Sequence, residues 1–251
     1  MIKRFFLGSL FFLFSLMMVS CAKDSTTMEK SPDEELKRCI HIVDKKKDEE
    51  GIECLELLKA RFPRSTAGME AELKIGDIYF QKKDYLLAAE TYVGFLKLYS
   101  FSPRVDYAYY RAGTSYYLAS PKSIDRDQEY IDDAIEHLKI VINRYPQSAY
   151  RGLATRFLKE AERRVVRRNY YVGRFYYRTG EYIAAIPRFE EAATKTLDEN
   201  IATKSLYLAI VSHLKLKNIE AAKEIYGKLS AEHPKSKWTA KAQKRLLRSV
   251  K

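Results

Sequence analysis

The stretch KIGDIYFQKKDYLLAAETYVGFL at Lys74–Leu96 decides the fold. Small and aromatic residues recur in it at the spacing of a tetratricopeptide repeat, a helical hairpin of about 34 residues. These residues are Gly76, Tyr79, Ala88, Tyr92 and Phe95. Two antiparallel helices approach closely only where side chains are small, so the spacing predicts that Gly76 faces Ala88, with large side chains on either side.

The same spacing returns along the chain. Gly113, Gly173 and Ile210 stand at the position of Gly76 in later units, and the first unit is the most irregular. The sequence therefore predicts an all-α solenoid of about five tetratricopeptide units, with atypical terminal units. The predicted units are residues 32–65, 69–102, 106–148, 149–199 and 203–236, followed by a C-terminal capping helix.

Three similar motifs mark the ends of units: FPRS at Phe62–Ser65, YPQS at Tyr145–Ser148 and HPKS at His233–Ser236. Proline cannot continue a helix, because it lacks an amide donor and its ring clashes with the preceding turn. Serine two residues later can accept a hydrogen bond from the free amides that open the next helix. Each motif therefore predicts the end of one helix and the start of another.

Two segments lengthen the regular repeat. About 9 extra residues lie between Tyr117 and Ala134, inside unit three, and about 17 lie before Gly173. The second segment has no helix-breaking residue, so residues 148–178 are expected to form one long helix. We expect this helix to brace the two halves of the array.

The first 31 residues are predicted to be a leader and a tether. Residues 1–20 have a basic start and an apolar run, which is typical of an export signal. Cys21 resembles the lipidated cysteine of a bacterial lipobox, although Met18 stands where leucine is usual; the alternative is a signal peptide with a chance cysteine. The residue after Cys21 is not aspartate, so the resemblance implies an outer-membrane anchor facing the periplasm. Residues 21–31 read as a polar, flexible tether.

Charge limits the classes of partner. Without residues 1–20 the chain has 43 basic and 33 acidic residues, a net charge of +10. Such an excess favours an acidic partner or an anionic membrane surface, and export makes nucleic acid an improbable partner.

Two cysteines remain in the processed chain, Cys39 and Cys54. Two isolated cysteines without a nearby histidine pair do not make a zinc site, so no metal is expected. In an oxidising compartment they either form a disulfide or stay as two buried thiols, and the sequence leaves both alternatives open.

No catalytic motif is visible. The chain has no phosphate loop, nucleophile elbow, zinc-protease motif or dinucleotide fingerprint, and its four histidines are far apart in sequence. We therefore expect a protein that is not an enzyme and has no cofactor, apart from lipid on Cys21.

The repeat spacing predicts a binding groove. The positions that line the inner surface of tetratricopeptide arrays are aromatic in the first half of the chain and aromatic plus basic in the second. An extended peptide with aromatic side chains or a carboxylate end would suit them. The predicted peptide groove consists of Leu73, Asp77, Phe80, Tyr107, Tyr110 and Tyr117. Several of these tyrosines could equally pack against neighbouring units.

The long helix is rich in arginine. Its segment RFLKEAERRVVRR carries five arginines that share a broad face, relieved by two glutamates. A charged helix face is usually only solvated, but this density also favours a role in binding a partner or an anionic surface. The five are Arg156, Arg163, Arg164, Arg167 and Arg168.

Three stretches resemble the BamD family, the repeat-built lipoproteins of the outer-membrane barrel-assembly machinery. They are SPRVDYAYYRAGTSYY at Ser102–Tyr117, DRDQEYIDDAIEHLKIVINRYPQSAY at Asp125–Tyr150 and YYRTGEYIAAIPRFEEA at Tyr176–Ala192. The most specific piece is the insertion Asp125-Arg126-Asp127 in unit three. With the lipobox and five units, the resemblance covers nearly the whole chain.

The resemblance implies a scaffold that binds unfolded outer-membrane barrel proteins through its N-terminal units and the BamA-like barrel insertase through its C-terminal units. Further lipoproteins of the machinery are additional candidate partners. Arg188 matches the family's arginine at the insertase contact, and an alternative for it is a surface ion pair with Glu190 or Glu191. The basic residues expected beside it are Arg167, Arg174 and Arg178.

Two alternatives remain, a different binding module and an enzyme. A repeat-built lipoprotein could serve as an adaptor of cell-wall or division machinery, but a general adaptor has no reason to carry the Asp125–Asp127 insertion. A cell-wall enzyme would need a convergent acid or nucleophile pair, and none is visible in the sequence.

Overall fold

The computed structural model describes residues 31–126, 128–196 and 198–249, and every regular element among them is an α-helix. In chain order the helices are α1 (Pro32–Asp44), α2 (Asp48–Arg61), α3 (Thr66–Gln81), α4 (Tyr85–Leu98), α5 (Val105–Ala119), α6 (Ile131–Arg144), α7 (Arg151–Thr179), α8 (Tyr182–Thr194), α9 (Glu199–Lys215), α10 (Ile219–Glu232) and α11 (Lys237–Ser249).

Consecutive helices pack against each other along the whole described chain. In addition, α1 touches α3, α5 touches α7, and α9 touches α11. Contacts that reach only to near neighbours are characteristic of a solenoid built from stacked hairpins. The predicted all-α tetratricopeptide solenoid is therefore confirmed. None of the described helices combines the length and apolar character needed to cross a membrane.

Glycine under a large side chain sets the spacing of the helices in the middle hairpins. A Cβ atom on Gly76 would stand 2.8 Å from the ring of Tyr92, one on Gly113 2.7 Å from Leu138, and one on Gly173 2.9 Å from Phe189. The side chain nearest to Gly76 is therefore Tyr92 and not the predicted Ala88. The two helices of these units approach so closely because a Cβ is missing at the point of contact.

Unit one has Cys39 where units two, three and four have glycine. The structure joins Cys39 to Cys54 through a disulfide, with 5.4 Å between the two Cα atoms, and both residues are buried. The bond connects α1 to α2 and lies in a small core completed by leucines of α2 and apolar residues of α3. A covalent link thus holds together the hairpin with the weakest repeat pattern.

Side-chain caps explain where some of the helices begin. Ser65 accepts a hydrogen bond from the amide of Gly68 at 2.9 Å, so α3 begins at Thr66, three residues before the predicted boundary at 69. Asp198 caps α9 in the same way, and α9 begins at Glu199 rather than at 203. A capping side chain can satisfy amides that the helix itself leaves unpaired, and it therefore fixes the first turn.

The motif serines do not all act alike. Ser65 caps α3, and Ser236 accepts from the amide of Trp238 at 3.2 Å in the first turn of α11. Ser148 instead donates to a carboxylate oxygen of Asp106 at 2.6 Å and accepts from the amide of Tyr150, just before α7 begins. The helix-start prediction is thus wrong in detail for Ser148, because a contact with unit three engages its hydroxyl.

The lengthened helix is α7, and its prediction is confirmed. It has 29 residues, or roughly 43 Å at 1.5 Å per residue. It ends at Gly180, whose φ of 87° is the left-handed conformation that glycine adopts without steric cost. Because α7 packs on α5, α6 and α8, one rigid element connects units three and four.

Reducing the Cys39–Cys54 disulfide is expected to lower the free energy of unfolding of unit one by about 3 kcal/mol, because the bond closes a loop of about 15 residues. Hydrogen exchange of the α1 and α2 amides, with and without reductant, measures this local effect. In the control, Cys39→Ala/Cys54→Ala, reductant should change nothing. Two titratable thiols in unreduced, unfolded protein would contradict the prediction.

Candidate functional site

The predicted peptide groove of units two and three is largely taken up by internal contacts. Leu73 is only 2% exposed and belongs to the core between α3, α4 and α5, so its assignment to the groove is wrong. The other predicted groove residues are half-buried. The cause is the side chains of α5, because Tyr107 and Arg111 cover positions of α3 that repeat spacing alone assigns to an open surface.

Asp77 is the centre of a polar network between units two and three. One of its carboxylate oxygens accepts hydrogen bonds from the hydroxyls of Tyr92, at 2.6 Å, and Tyr107, and lies 3.4 Å from the guanidinium of Arg111. Arg111 also donates to the Tyr92 hydroxyl at 3.0 Å and lies over the ring of Phe80 at 3.6 Å. The side chains of Asp77 and Phe80 are thus occupied by contacts within the protein.

The network raises the pKa of two of its tyrosines, Tyr92 and Tyr107. Burial, together with the charge of Asp77, raises the pKa of Tyr92 far above its usual value. The pKa of Tyr107 is raised for the same reasons, burial first and then its hydrogen bond to Asp77. A hydroxyl that donates to a carboxylate in a poorly solvated place loses its proton with difficulty. Both tyrosines therefore act as hydrogen-bond donors to Asp77 and as packing groups.

The remaining predicted groove tyrosines pack against residues just before or within α7. Tyr110 stacks on Tyr150 with ring centroids 5.2 Å apart, and Tyr117 meets Phe157 edge to face at 5.4 Å. Aromatic pairs at such distances stabilise the contact beyond their buried area alone. One side of these rings thus faces the long helix.

Positive charge is concentrated after residue 150. Residues 151–251 contain 23 Lys and Arg against 10 Asp and Glu, whereas residues 31–150 contain 18 against 21. The net charges of +13 and −3 show that the basic character of the protein belongs to its C-terminal half. A surface with this field attracts anionic groups.

The arginine-rich segment of α7 does not form one face. Arg164 donates to the carbonyls of Tyr117 and Ser120 at the end of α5 and covers the Tyr117 ring, and Arg168 pairs with Asp132 of α6 at 3.7 Å. The predicted shared face of all five arginines is therefore wrong, since two of them hold α5 and α6 against α7.

An open cleft of about 340 Å³, hereafter the α7 cleft, lies beside α7 between the insertion of unit three and α9. Three exposed arginines line it, Arg167, Arg174 and Arg178, at intervals of seven and four residues that place them on one face. Its other lining residues are aromatic or aliphatic: Tyr170, Tyr171, Phe175, Ile124 and Ile201. An apolar floor with a guanidinium rim can take a carboxylate next to an apolar group.

Arg188 lies away from this cleft. Its guanidinium donates to the side-chain oxygen of Asn169 at 3.3 Å and stands 4.0 Å from Glu191. Asn169 is two residues from Arg167, or roughly 200° around α7, so Arg188 faces the opposite side of the helix. The pKa of Glu191 is lowered, chiefly by its hydrogen bond to Lys195 and also by the charge of Arg188. The four expected insertase residues thus form two surfaces.

The insertion of unit three is ordered by a buried glutamine. Gln128 is 1% exposed and donates to the carbonyl oxygens of Pro121, at 2.9 Å, and Ser123, at 3.1 Å. Asp125 and Arg126 are exposed, and Asp125 accepts a hydrogen bond from Ser123. Asp127 lies outside the described residues, as does Cys21.

A cationic and aromatic cluster forms around Trp238, a residue that repeat spacing does not single out. Trp238 packs against Tyr207 with centroids 5.2 Å apart, and Lys204 and Lys241 stand 5.6 and 4.5 Å from the Trp238 ring. Lys204 also lies 5.3 Å from the ring of Tyr170, which lines the α7 cleft. The signal that could have found it is the single tryptophan of the chain within a lysine-rich segment.

One group of candidate metal ligands occurs among the described residues, Glu35 with Cys39 and Cys54. The two sulfur atoms are joined to each other, and a disulfide does not provide the thiolates that hold zinc. The group is therefore a disulfide bond with the carboxylate of Glu35 beside it.

The fold and these surfaces define a tetratricopeptide-repeat protein with a basic C-terminal half. A family model named YfiO and described as an outer membrane lipoprotein matches residues 28–216, and a tetratricopeptide-repeat model matches residues 204–236. The first match covers most of the chain and agrees with the relatives below. The chain belongs to the BamD family of outer membrane lipoproteins.

Several relatives carry the name outer membrane protein assembly factor BamD. Those of Caulobacter vibrioides, Vibrio cholerae and Rickettsia prowazekii are 23%, 27% and 25% identical over 78%, 66% and 79% of this chain. The matches cover 64%, 72% and 79% of those proteins, so the chain spans less than two thirds of the Caulobacter relative. A solved complex of the TPR2AB domain of yeast Sti1 aligns at a TM-score of 0.40 and 13% identity, over 87% of this chain and 88% of that one, which is too distant to carry a functional conclusion.

Asp77→Ala is expected to lower the free energy of unfolding by about 2 to 3 kcal/mol, because it leaves Arg111 without its carboxylate and two tyrosine hydroxyls without their acceptor. Urea unfolding followed by circular dichroism measures the change. Asp84→Ala in the same hairpin is the control: Asp84 is exposed and makes no side-chain capping bond, so the effect should stay below about 0.5 kcal/mol. Equal effects of the two variants would show that the network does not stabilise the array.

Proposed function

We propose that this protein is a non-enzymatic scaffold of outer-membrane protein assembly, held at the outer membrane by lipid and facing the periplasm. The observation that carries the proposal is the match of residues 28–216 to a family described as an outer membrane lipoprotein. Relatives named as assembly factors support the assembly role. The stacked hairpins support a binding role, because such arrays offer extended surfaces to other chains.

The contact with the barrel insertase is proposed to centre on Arg188. This arginine is 45% exposed and is held by Asn169 of α7, so its guanidinium is positioned in advance while keeping room for a second carboxylate. A preorganised guanidinium loses less conformational freedom when it forms a charged hydrogen bond with a partner. The neighbouring Glu191 is engaged by Lys195 at 2.6 Å and competes weakly for Arg188 from 4.0 Å.

Unfolded barrel substrates are proposed to bind the N-terminal units at the exposed edges of the aromatic row on α5. Tyr110 and Tyr117 each have one edge in contact with Phe157, and both remain half-exposed. Half-exposed rings on a rigid helix offer apolar contact at low entropic cost to an extended chain. Further assembly lipoproteins remain candidate partners on the surfaces that neither ligand covers.

Arg188→Glu is expected to reduce co-purification of the insertase with this protein from native membranes by about tenfold or more, since it reverses the charge at the proposed contact. Arg188→Gln should give a smaller loss. Lys223→Glu is the matched control, because Lys223 is exposed on α10 and pairs only with the adjacent Glu220 among described residues. Thermal unfolding of each variant separates lost binding from lost folding. Unchanged recovery of the insertase with Arg188→Glu would reject this contact.

Cys21→Ala is expected to remove the protein from the outer-membrane fraction, because the thiol that carries the proposed lipid is lost. Membrane fractionation, together with mass spectrometry of the N-terminal peptide, measures both location and acylation. An unmodified N-terminus in wild-type protein, or a Cys21→Ala variant that still fractionates with the outer membrane after a salt wash, would contradict the lipid anchor.

A further inference from the structure

The two departures from the regular repeat meet at one place. Ile124 belongs to the insertion of unit three, and the extra length of α7 precedes Gly173 in unit four. In the structure Ile124 lines the α7 cleft together with Tyr171 and Phe175. An array of unmodified repeats would lack this loop, so the wall that Ile124 contributes to the α7 cleft comes from the insertion.

The loop is positioned against the helix by specific bonds. Arg164 of α7 donates to the carbonyl oxygens of Tyr117 and Ser120 at 3.3 and 3.4 Å, where α5 ends and the insertion begins. Within the insertion, Gln128 donates to the carbonyls of Pro121 and Ser123 on either side of Lys122. A buried amide with several carbonyl partners fixes a loop, because unfolding it would expose unpaired polar groups.

The floor of the α7 cleft is apolar and accessible. Tyr171 and Phe175 are 46% and 57% exposed, which is high for large hydrophobic side chains on a rigid helix. Ile124 and Ile201 approach them from the loop and from α9. The volume of about 340 Å³ is large enough for one or two side chains of another chain but small for a whole folded element.

The rim of the cleft carries unneutralised positive charge. Within the part of the chain that the structure describes, no carboxylate forms an ion pair with Arg167, Arg174 or Arg178. Elsewhere on α7, by contrast, Arg163 pairs with Glu160 and Arg168 with Asp132. Guanidinium groups in this arrangement match carboxylates in charge and can bind them through two parallel hydrogen bonds.

We propose that the α7 cleft binds an extended acidic peptide segment of a partner protein, with an apolar side chain on Tyr171 and Phe175 and flanking carboxylates on the three arginines. The ligand is a segment and not a folded surface, since the cleft is narrow and is walled by the insertion and by α9. Lys204, beside Tyr170, continues the positive field towards unit five for the remainder of the segment. This proposal depends on the scaffold function proposed above only in assuming that the ligand is a protein. The site does not include Arg188.

The test uses the chain from residue 21 with Cys21→Ser, which contains every described helix. The probe is a fluorescently labelled ten-residue peptide in which Phe is flanked by Asp residues, and its twin has Asn in place of each Asp. Fluorescence anisotropy is expected to show saturable binding of the Asp peptide and at least about tenfold weaker binding of the Asn twin. Equal binding of the two peptides, or none of either, would overturn the proposal.

Variants locate the site. Arg167→Gln/Arg174→Gln is expected to weaken the Asp peptide about tenfold or more, and Ile124→Ser several-fold through loss of the loop wall. Arg151→Gln is the control, because it removes one positive charge from the same helix roughly 35 Å from Arg174. If Arg151→Gln weakened binding as much as the double variant, the interaction would be a general effect of net charge and the site would be rejected.

Two further readouts separate competing explanations. The first readout is the binding of phosphatidylglycerol vesicles. If the vesicles displaced the peptide, and bound wild type but not Arg167→Gln/Arg174→Gln, the cleft would be assigned to an anionic lipid surface and the proposal would be overturned. Insertase recovery with the Arg167→Gln/Arg174→Gln variant is expected to stay at the wild-type level. Failure of the peptide experiment would therefore leave the contact at Arg188 standing, and failure of the Arg188 experiment would leave the cleft standing.

Discussion

Close contact between the two helices of a hairpin is the constraint on which the rest of the structure depends. In units two, three and four a glycine lies directly under a large side chain, and a Cβ there would stand within 3 Å of Tyr92, Leu138 or Phe189. This contact fixes the distance between the two helices and the position of one helix along the other. It thereby decides the direction in which the next hairpin stacks and which residues remain exposed. Unit one obtains the same closeness from a disulfide.

The two halves of the protein use their polar groups differently. In the first half, Asp77 and Arg111 satisfy each other and two tyrosine hydroxyls inside the interface between units two and three. In the second half, several arginines of α7 remain exposed around an apolar cleft. A satisfied buried network makes an interface specific and rigid, whereas unpaired cations on a rigid helix are available to a ligand. The long helix α7 joins these two regions.

The family to which the chain belongs is consistent with such a division. A scaffold must keep one part of its structure unchanged while other proteins bind and dissociate. Short-range contacts between successive hairpins provide this, since each unit supports only its neighbours. The insertion and the long α7 both border the α7 cleft, and Arg164 of α7 donates to a carbonyl near the start of the insertion.

The sequence by itself determined the fold class, the number of hairpins and the long α7, because these follow from the spacing of small, aromatic and proline residues along the chain. The family followed from the resemblance of three particular stretches. The sequence also located the arginines of the cleft. Only the tertiary structure decided which of them are free. Leu73 was expected in a groove and is buried, Arg164 and Arg168 were expected on a common face and hold neighbouring helices, and Arg188 proved to lie on the opposite side of α7 from Arg174. The reason is physical: repeat spacing fixes the face of a helix on which a residue lies, but the angle between hairpins fixes what covers that face. That angle arises from packing between residues far apart in the sequence.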